Sequence, residues 1–145
     1  MATTAQITLT SDISSGFGDI TKSMTLTKAG TNNDITETTG FSRRRLSSTS
    51  AVDLITMANE LVEPSDNTAA KVYIKNIGNN GVFDKSKYVT ISIGATAGTT
   101  QEIGRLYGGD WLMMPVTVVD DMDIVATPET DNVVVLEYTM FFEEA

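Results

Sequence analysis

Residues 103–115 read IGRLYGGDWLMMP, and this stretch decides the fold class. An alternating segment runs into Gly108-Gly109, and an apolar segment leaves it, opened by Trp111 and closed by Pro115. Paired glycines take positive φ without steric cost, which a two-residue hairpin turn requires. The spacing predicts a β-hairpin, with strand 103–106 against strand 110–114, and an all-β chain around it.

The flanking segments keep the same period of two. Ala70, Val72 and Ile74 alternate with Lys71, Tyr73 and Lys75, and Val89, Ile91 and Ile93 alternate with Tyr88, Thr90 and Ser92. Such alternation is the mark of a half-buried strand. The Gly-Asn-Asn-Gly at 78–81 is a turn, and 94–100 is a connection of small residues. Val116 and Val118, then Met122, Ile124 and Ala126, predict further strands on either side of Asp120-Asp121. In the last strand, Val134, Leu136, Tyr138, Met140 and Phe142 form an apolar face suited to the core. The opposite face, Val133, Val135, Glu137, Thr139 and Phe141, is too apolar for plain solvent. Three covers suit it: another subunit, an N-terminal arm, or the rest of the chain if the strand is central.

The first half is less regular. Ile7 and Leu9 alternate with Gln6, Thr8 and Thr10 as a half-buried strand. Ile20, Met24 and Leu26 share a face with Lys22. Residues 11–19 and 30–34 have loop and turn chemistry, and 35–50 is irregular with one short strand around 43–48. Residues 51–62 support two readings. Leu54, Met57/Ala58 and Leu61 fit a helical stripe, with Ser50 and Asp53 as an N-cap pair. Val52 and Leu54 equally fit a strand followed by a helical turn. Glu63-Pro64-Ser65-Asp66-Asn67 ends either one. Turn signals recur roughly every 8–12 residues, the rhythm of a sandwich or barrel. The expectation is one antiparallel β-sandwich over 1–145, with at most one short helix around 51–62. Residues 1–18 are either its first strand or an arm.

Composition agrees and excludes much. Threonine is the commonest residue, with 22 copies, and suits solvated sheet faces. A chain of 145 residues buries roughly 68–70% of its unfolded surface and needs no staples. Cysteine and histidine are both absent. That removes disulfides, thiolate or imidazole metal sites and a Ser-His-Asp triad. The net charge of −9 argues against binding nucleic acid, where phosphates call for clustered Lys and Arg. The sequence predicts no membrane span and no signal peptide, since its longest apolar run, 111–114, is far short of ~20 residues. It predicts folding in a cytoplasm.

Each candidate site has a plainer alternative. Arg43, Arg44 and Arg45 form the one basic cluster. They are either an anchor for an acidic partner or sister subunit, or a solvated strand. Asp120, Asp121 and Asp123, with Glu129 and Asp131 beyond, are oxygen ligands of the kind calcium takes. Their spacing misses an EF-hand loop, and a polar turn is the preferred reading. Trp111, Tyr107 and Tyr73 suit a sugar-stacking platform or, preferably, a core edge or subunit interface. Carboxylate pairs such as Glu102 with Asp110, or Glu143 with Glu144, are the only material for glycoside hydrolysis. Nothing in the sequence gathers them into a cleft, so the expectation is a non-enzymatic protein with no cofactor and no metal.

Several segments together resemble small virion structural proteins of marine tailed bacteriophages, especially cyanophages. They are 71–76 (KVYIKN), 88–93 (YVTISI), 103–111 (IGRLYGGDW) with Pro115, 123–128 (DIVATP) and 135–138 (VLEY). In the first half, 26–30 (LTKAG) and 39–43 (TGFSR) also fit. The resemblance covers most of the chain and contains no catalytic signature. It implies a jelly-roll-like sandwich that decorates or cements the capsid exterior as a homotrimer. The partners it implies are copies of itself and the major capsid protein or another virion protein. On that reading Arg43, Arg44, Arg45, Tyr107, Trp111, Val133, Val135 and Phe141 are the candidate contact residues. A tail, fibre or baseplate junction is the alternative within the particle, and a carbohydrate-binding sandwich for host attachment is the alternative of another class.

Overall fold

The computed structural model describes residues 3–9, 20–27, 35, 37–57, 69–94, 99–117, 119, 122–131 and 133–142. They form eleven strands: β1 (Thr4–Leu9), β2 (Ile20–Thr25), β3 (Glu37–Thr38), β4 (Ser42–Leu46), β5 (Val52–Ile55), β6 (Ala69–Gly78), β7 (Tyr88–Ile93), β8 (Gln101–Tyr107), β9 (Trp111–Thr117), β10 (Ile124–Pro128) and β11 (Val134–Phe142). All pairings are antiparallel. One sheet has the order β5-β10-β7-β8. The other runs β3-β11-β6-β9, with β4 following β3 along the same edge of β11. Taking β3 and β4 as one interrupted strand, the pairs are β3/β4 with β11, β5 with β10, β6 with β9, and β7 with β8. That is one long hairpin rolled into two layers, the topology of a jelly roll.

The alternation read from the sequence does the packing. Ala70, Val72, Ile74, Leu136 and Met140 from the five-stranded sheet meet Val89, Ile91, Ile124, Ala126 and Leu106 from the four-stranded one, all buried. Leu46, Leu54, Ile55 and Met57 close the core at its side. Each of the valine, leucine, isoleucine and methionine side chains contributes about 1.5–3 kcal/mol through burial. Two apolar inner faces, each with a period of two, have no lower-energy arrangement than face to face.

Several local expectations are corrected. The Gly108-Gly109 segment is a corner between the two sheets and not a hairpin, since β8 pairs with β7 and β9 with β6. The amide of Asp110 donates to the Tyr107 carbonyl (2.9 Å). Gly109 has φ 96°, as the third residue of a type II turn requires. Among the described residues, a two-residue hairpin turn lies at Asn80-Gly81. Both residues have positive φ (50° and 78°), and Asn79 and Val82 exchange backbone hydrogen bonds of 3.2 and 3.0 Å. This is the type I′ geometry that an Asn-Gly pair favours.

Pro115 does not close its strand. β9 continues to Thr117, and Pro115 faces Lys71 in register. An edge strand tolerates proline, because the missing N–H points away from the ladder. Of the two readings of 51–62, the strand is realised over Val52–Ile55. Asp53 stands opposite Val125 in that ladder, so it is not part of an N-cap pair. β1 is neither half-buried nor part of the sandwich. It pairs only with β2 among the described strands, and Leu9 is 59% exposed. The chain leaving β2 is anchored, with Leu26 and Ile35 buried and joined by a 3.0 Å backbone bond. The expectations for 11–19, 30–34, 58–67, Asp120, Asp121, Glu143 and Glu144 lie outside the described residues.

One buried polar side chain fixes the corner. Asn76, 1% exposed, donates through Nδ2 to the Leu106 carbonyl (3.0 Å) and accepts from the Gly78 amide through Oδ1 (2.9 Å). Its backbone amide donates to Asp110 (2.9 Å), and its carbonyl accepts from Gly109 (3.0 Å). β6 of one sheet is thereby tied to the end of β8 in the other. In the neighbouring turn, Ser86 donates to Asp84 through both hydroxyl (2.6 Å) and amide (2.9 Å), which holds that carboxyl below its usual range.

Candidate functional site

The outer face of the five-stranded sheet gathers most of the candidate residues. Residues paired across a ladder point to the same side, so the register gives the layout. One row runs Trp111, Lys75, Glu137, Arg43. The next runs Met113, Tyr73, Thr139. A third runs Pro115, Lys71, Phe141, Thr38. Val135 and Arg45 extend the face at one end.

A bulge shapes one margin. Between β3 and β4 the chain inserts one residue more than β11 does over the same span, around Gly40 (φ 72°). Threonine side chains replace the interrupted ladder. The Met140 amide donates to Thr39 Oγ1 (3.0 Å), the Gly40 amide donates to Thr38 Oγ1 (3.1 Å), and the hydroxyls of Thr38 and Thr139 meet at 3.1 Å. Thr139 is thus fully buried yet satisfied. The bulge also swings Phe41 out to 70% exposure, in line with its role of re-aiming a side chain. Phe41 meets Tyr73 edge-on, with ring centroids 6.0 Å apart at 78°. Tyr73 in turn lies 6.4 Å from Trp111 at 36°. The three rings form a continuous row, and Trp111 remains 46% exposed.

The face forms the floor of a groove of about 370 Å³. Thr3, Thr4, Ala5, Gln6 and Leu26 make the opposite wall, so the start of β1 partly covers the outer side of β11. The volume falls within the range of small-molecule sites, roughly 300–1,000 Å³. Burial raises the Tyr73 phenol above its ordinary value, and the charge of Glu137 adds to the effect. Glu137 itself accepts from Arg43 through Nε (2.9 Å) and a terminal nitrogen (2.8 Å). Arg43 is largely exposed, so the pair contributes at most about 1 kcal/mol.

Arg43, Arg45, Trp111, Val135 and Phe141, named separately as candidate contact residues, therefore share one face, a grouping that nothing in the sequence made. Arg44 takes the other side of β4, in register with Leu136, and stays exposed at the sheet edge. Tyr107 belongs to the other sheet. It packs on Tyr88 (5.4 Å, 59°), over which Arg105 lies at 4.7 Å with Glu102 2.9 Å away. The platform of Trp111, Tyr107 and Tyr73 is corrected accordingly, with Phe41 in the place of Tyr107. Val133 lines a separate hollow of about 650 Å³ at the end of the sandwich, near Asn79, Val82, Lys87 and Asp131. Phe41, Met113 and Lys75 were missed. Lys75 and Met113 follow from alternation once the partner strands are known, whereas Phe41 depends on the bulge.

Four of the candidate carboxylates have structural partners. Asp123 Oδ1 accepts from the Met57 amide (2.8 Å), Asp131 from the Thr49 amide (3.2 Å), and Asp110 from the Tyr107 amide (3.0 Å). Glu102 holds Arg105. No group of three or more side chains suited to a metal ion occurs among the described residues. No helix there is long and apolar enough to cross a membrane. Neither a scan against protein-family models nor a search of curated protein sequences returns a match for this chain.

Proposed function

We propose that this chain is a non-enzymatic structural protein of a bacteriophage particle, decorating or cementing the exterior of the head as a homo-oligomer. The observation that carries the reading is the outer face of the five-stranded sheet. It sets an aromatic row, exposed at Phe41 and Trp111, together with half-buried Met113 and Phe141 among lysines and arginines on a well-packed sandwich. Contiguous exposed apolar surface of this kind marks an interaction site, and aromatic and arginine side chains are what interfaces concentrate. A jelly-roll topology fits the reading by analogy, since capsid and lectin domains share it. The segments that resemble phage virion proteins, above all 71–76 and 103–111, supply strands and corner of that same sandwich.

The physical task suits such a protein. A cement binds the assembled shell and not loose subunits, so it stabilises the shell by mass action. Modest contacts suffice when several are linked through one oligomer. Quantitative mass spectrometry of purified particles tests the reading, with copy numbers on the scale of the shell subunits expected. A few copies per particle would move the chain to a tail or baseplate junction, and absence from particles would end the proposal. The row of Phe41, Tyr73 and Trp111 favours a second reading, a saccharide-binding sandwich, because sugar rings stack on aromatic faces. Glycan binding by the isolated protein, abolished in Trp111→Ala, would select it.

A further inference from the structure

The charges on the outer face run against the composition of the chain. Arg43, Arg45, Lys71 and Lys75 project from it by register, and among the described residues Glu137 is the one carboxylate there. The ladder sets Lys75 between Trp111 on β9 and Glu137 on β11. Arg43 already engages Glu137 through two nitrogens, so that carboxylate is compensated without Lys75. Lys75 lines the groove between this face and the start of β1, and among the described residues no carboxylate lines it. A small anion is repelled by most of a protein of net charge −9 and is drawn to this groove.

The rest of the lining narrows the chemistry. Trp111 is 46% exposed and Phe41 70%, so both keep ring surface for a ligand on either side of Tyr73. Thr4 and Gln6, both exposed, set a hydroxyl and an amide on the opposite wall. An aromatic floor under a polar wall suits a molecule with a flat apolar face and a rim of hydroxyls, which describes a pyranose ring. An apolar peptide anchor would take Thr4 and Gln6 out of water with nothing to bond. The volume of about 370 Å³ lies toward the small end of ligand sites and admits a short saccharide, not a folded surface.

We infer that this groove binds acidic saccharides, a sugar ring stacking on Trp111 while its carboxylate or sulfate group pairs with the Lys75 ammonium. The inference rests on the saccharide reading of this face and adds the sign of charge that the site selects. Lys75 and Trp111 are direct neighbours across the ladder, so a ring and its anionic substituent meet adjacent side chains. A neutral sugar gains the stacking alone. A charged one adds a charge-assisted hydrogen bond, roughly twice as strong as a neutral one.

Trp111 is the single tryptophan, so its fluorescence reads the groove directly in the unmodified full chain. The ligands to titrate are an oligouronate, a sulfated oligosaccharide and a neutral glucose oligomer of matched length. The expected result is saturable binding of at least one acidic oligomer, tenfold or more tighter than the neutral one, and the acidic oligomer that binds identifies the group recognised. Its dissociation constant should rise roughly tenfold between about 0.05 and 0.5 M NaCl, because a half-exposed ion pair is screened over that range. Lys75→Gln should bring the acidic oligomer down to the affinity of the neutral one, and Lys75→Arg should restore most of the difference. Trp111→Ala, followed by calorimetry, should weaken the acidic oligomer by roughly tenfold or more, as loss of a central aromatic anchor does. Circular dichroism checks that each variant keeps its sheets. Equal affinity for acidic and neutral oligomers overturns the inference and leaves the saccharide reading standing, whereas binding of none of them overturns both. An oligoglutamate bound as tightly as the oligouronate, with the same dependence on Lys75, also overturns the inference and gives the groove to an acidic protein segment.

Discussion

Asn76 is the residue whose loss should cost the fold most for its size. Replacing it with alanine removes two side-chain hydrogen bonds, to the Leu106 carbonyl and from the Gly78 amide. Both partners sit at the corner where β8 leaves one sheet and β9 enters the other. Gly78 is itself buried, so its amide has no ready route to water. A buried donor or acceptor left without a partner costs about 1–3 kcal/mol, so the two together predict about 2–6 kcal/mol for Asn76→Ala. Asn76→Asp sharpens the point. One carboxylate oxygen still accepts from Gly78, but the other faces the Leu106 carbonyl oxygen with no proton to offer, and the charge is buried. Protonation restores the missing donor, so the folded carboxyl of the variant titrates above its unfolded value. Its deficit is then smallest below the unfolded pKa and grows as pH rises through that value to the folded one. Urea denaturation followed by tryptophan fluorescence reads both effects, Trp111 being the single reporter. A cost below about 1 kcal/mol for Asn76→Ala, or an Asn76→Asp deficit unchanged between acid and neutral pH, would refute the account of the corner.

Two further predictions concern neighbouring features. A methyl group added at Gly108 would lie 2.7 Å from the Asp84 amide nitrogen and 2.8 Å from its carbonyl oxygen. Backbone atoms cannot rotate away, so Gly108→Ala should cost about 1–3 kcal/mol by urea denaturation, as overpacking does, and a neutral result would place the Asp84 loop elsewhere. The Tyr73 phenol is raised above its ordinary value by burial first and Glu137 second. The unfolded chain therefore releases that proton first, and stability should fall as pH rises from about 10 toward the folded value. Tyr73→Phe should lose less stability than the parent between about pH 9 and 11, and parallel losses would remove Tyr73 as a cause.

Much of the fold was legible because the strands that build the core announce themselves. β6, β7, β10 and β11 each carry apolar residues with a period of two, and burial follows that alternation residue by residue along β6, whereas Ser92 of β7, Val125 of β10 and Thr139 of β11 are buried where alternation alone leaves them outside. What alternation does not encode is which strand lies beside which. Residues 103–115 show this most directly. A two-residue hairpin would set Leu106 opposite Trp111 and Arg105 opposite Leu112, placing Leu106 and Leu112 on opposite faces. In the sandwich both leucines turn inward, from different sheets. The parity of the apolar residues across the glycine pair thus already contradicted a hairpin, while the Asn-Gly at 80–81 offered the stronger turn signal. The strand at β5 was ambiguous for another reason. Four residues are too few for period alone to separate strand from helix, and its pairing with β10 decided the matter.

The outer face of the five-stranded sheet was legible in kind and not in membership. Excess apolar character on the second side of β11 pointed to a covered surface, and Val135 and Phe141 do lie on it. Grouping Tyr107 with Trp111 failed because four residues of sequence separation bridge two layers here, so the rings end on different sheets. Conversely, Phe41 and Trp111 are distant in sequence yet flank Tyr73, because β9, β6, β11 and β4 stand side by side in that order. Phe41 needs one thing more, the extra residue at the Thr39-Gly40 bulge, which no periodicity reveals. The same adjacency explains the charge pattern. Arg43 and Arg45 come from one edge of the sheet, and Lys71 and Lys75 from its interior. In the sequence they look like a basic triplet and two isolated lysines in an acidic chain. Only the ladder register turns them into a single positive surface.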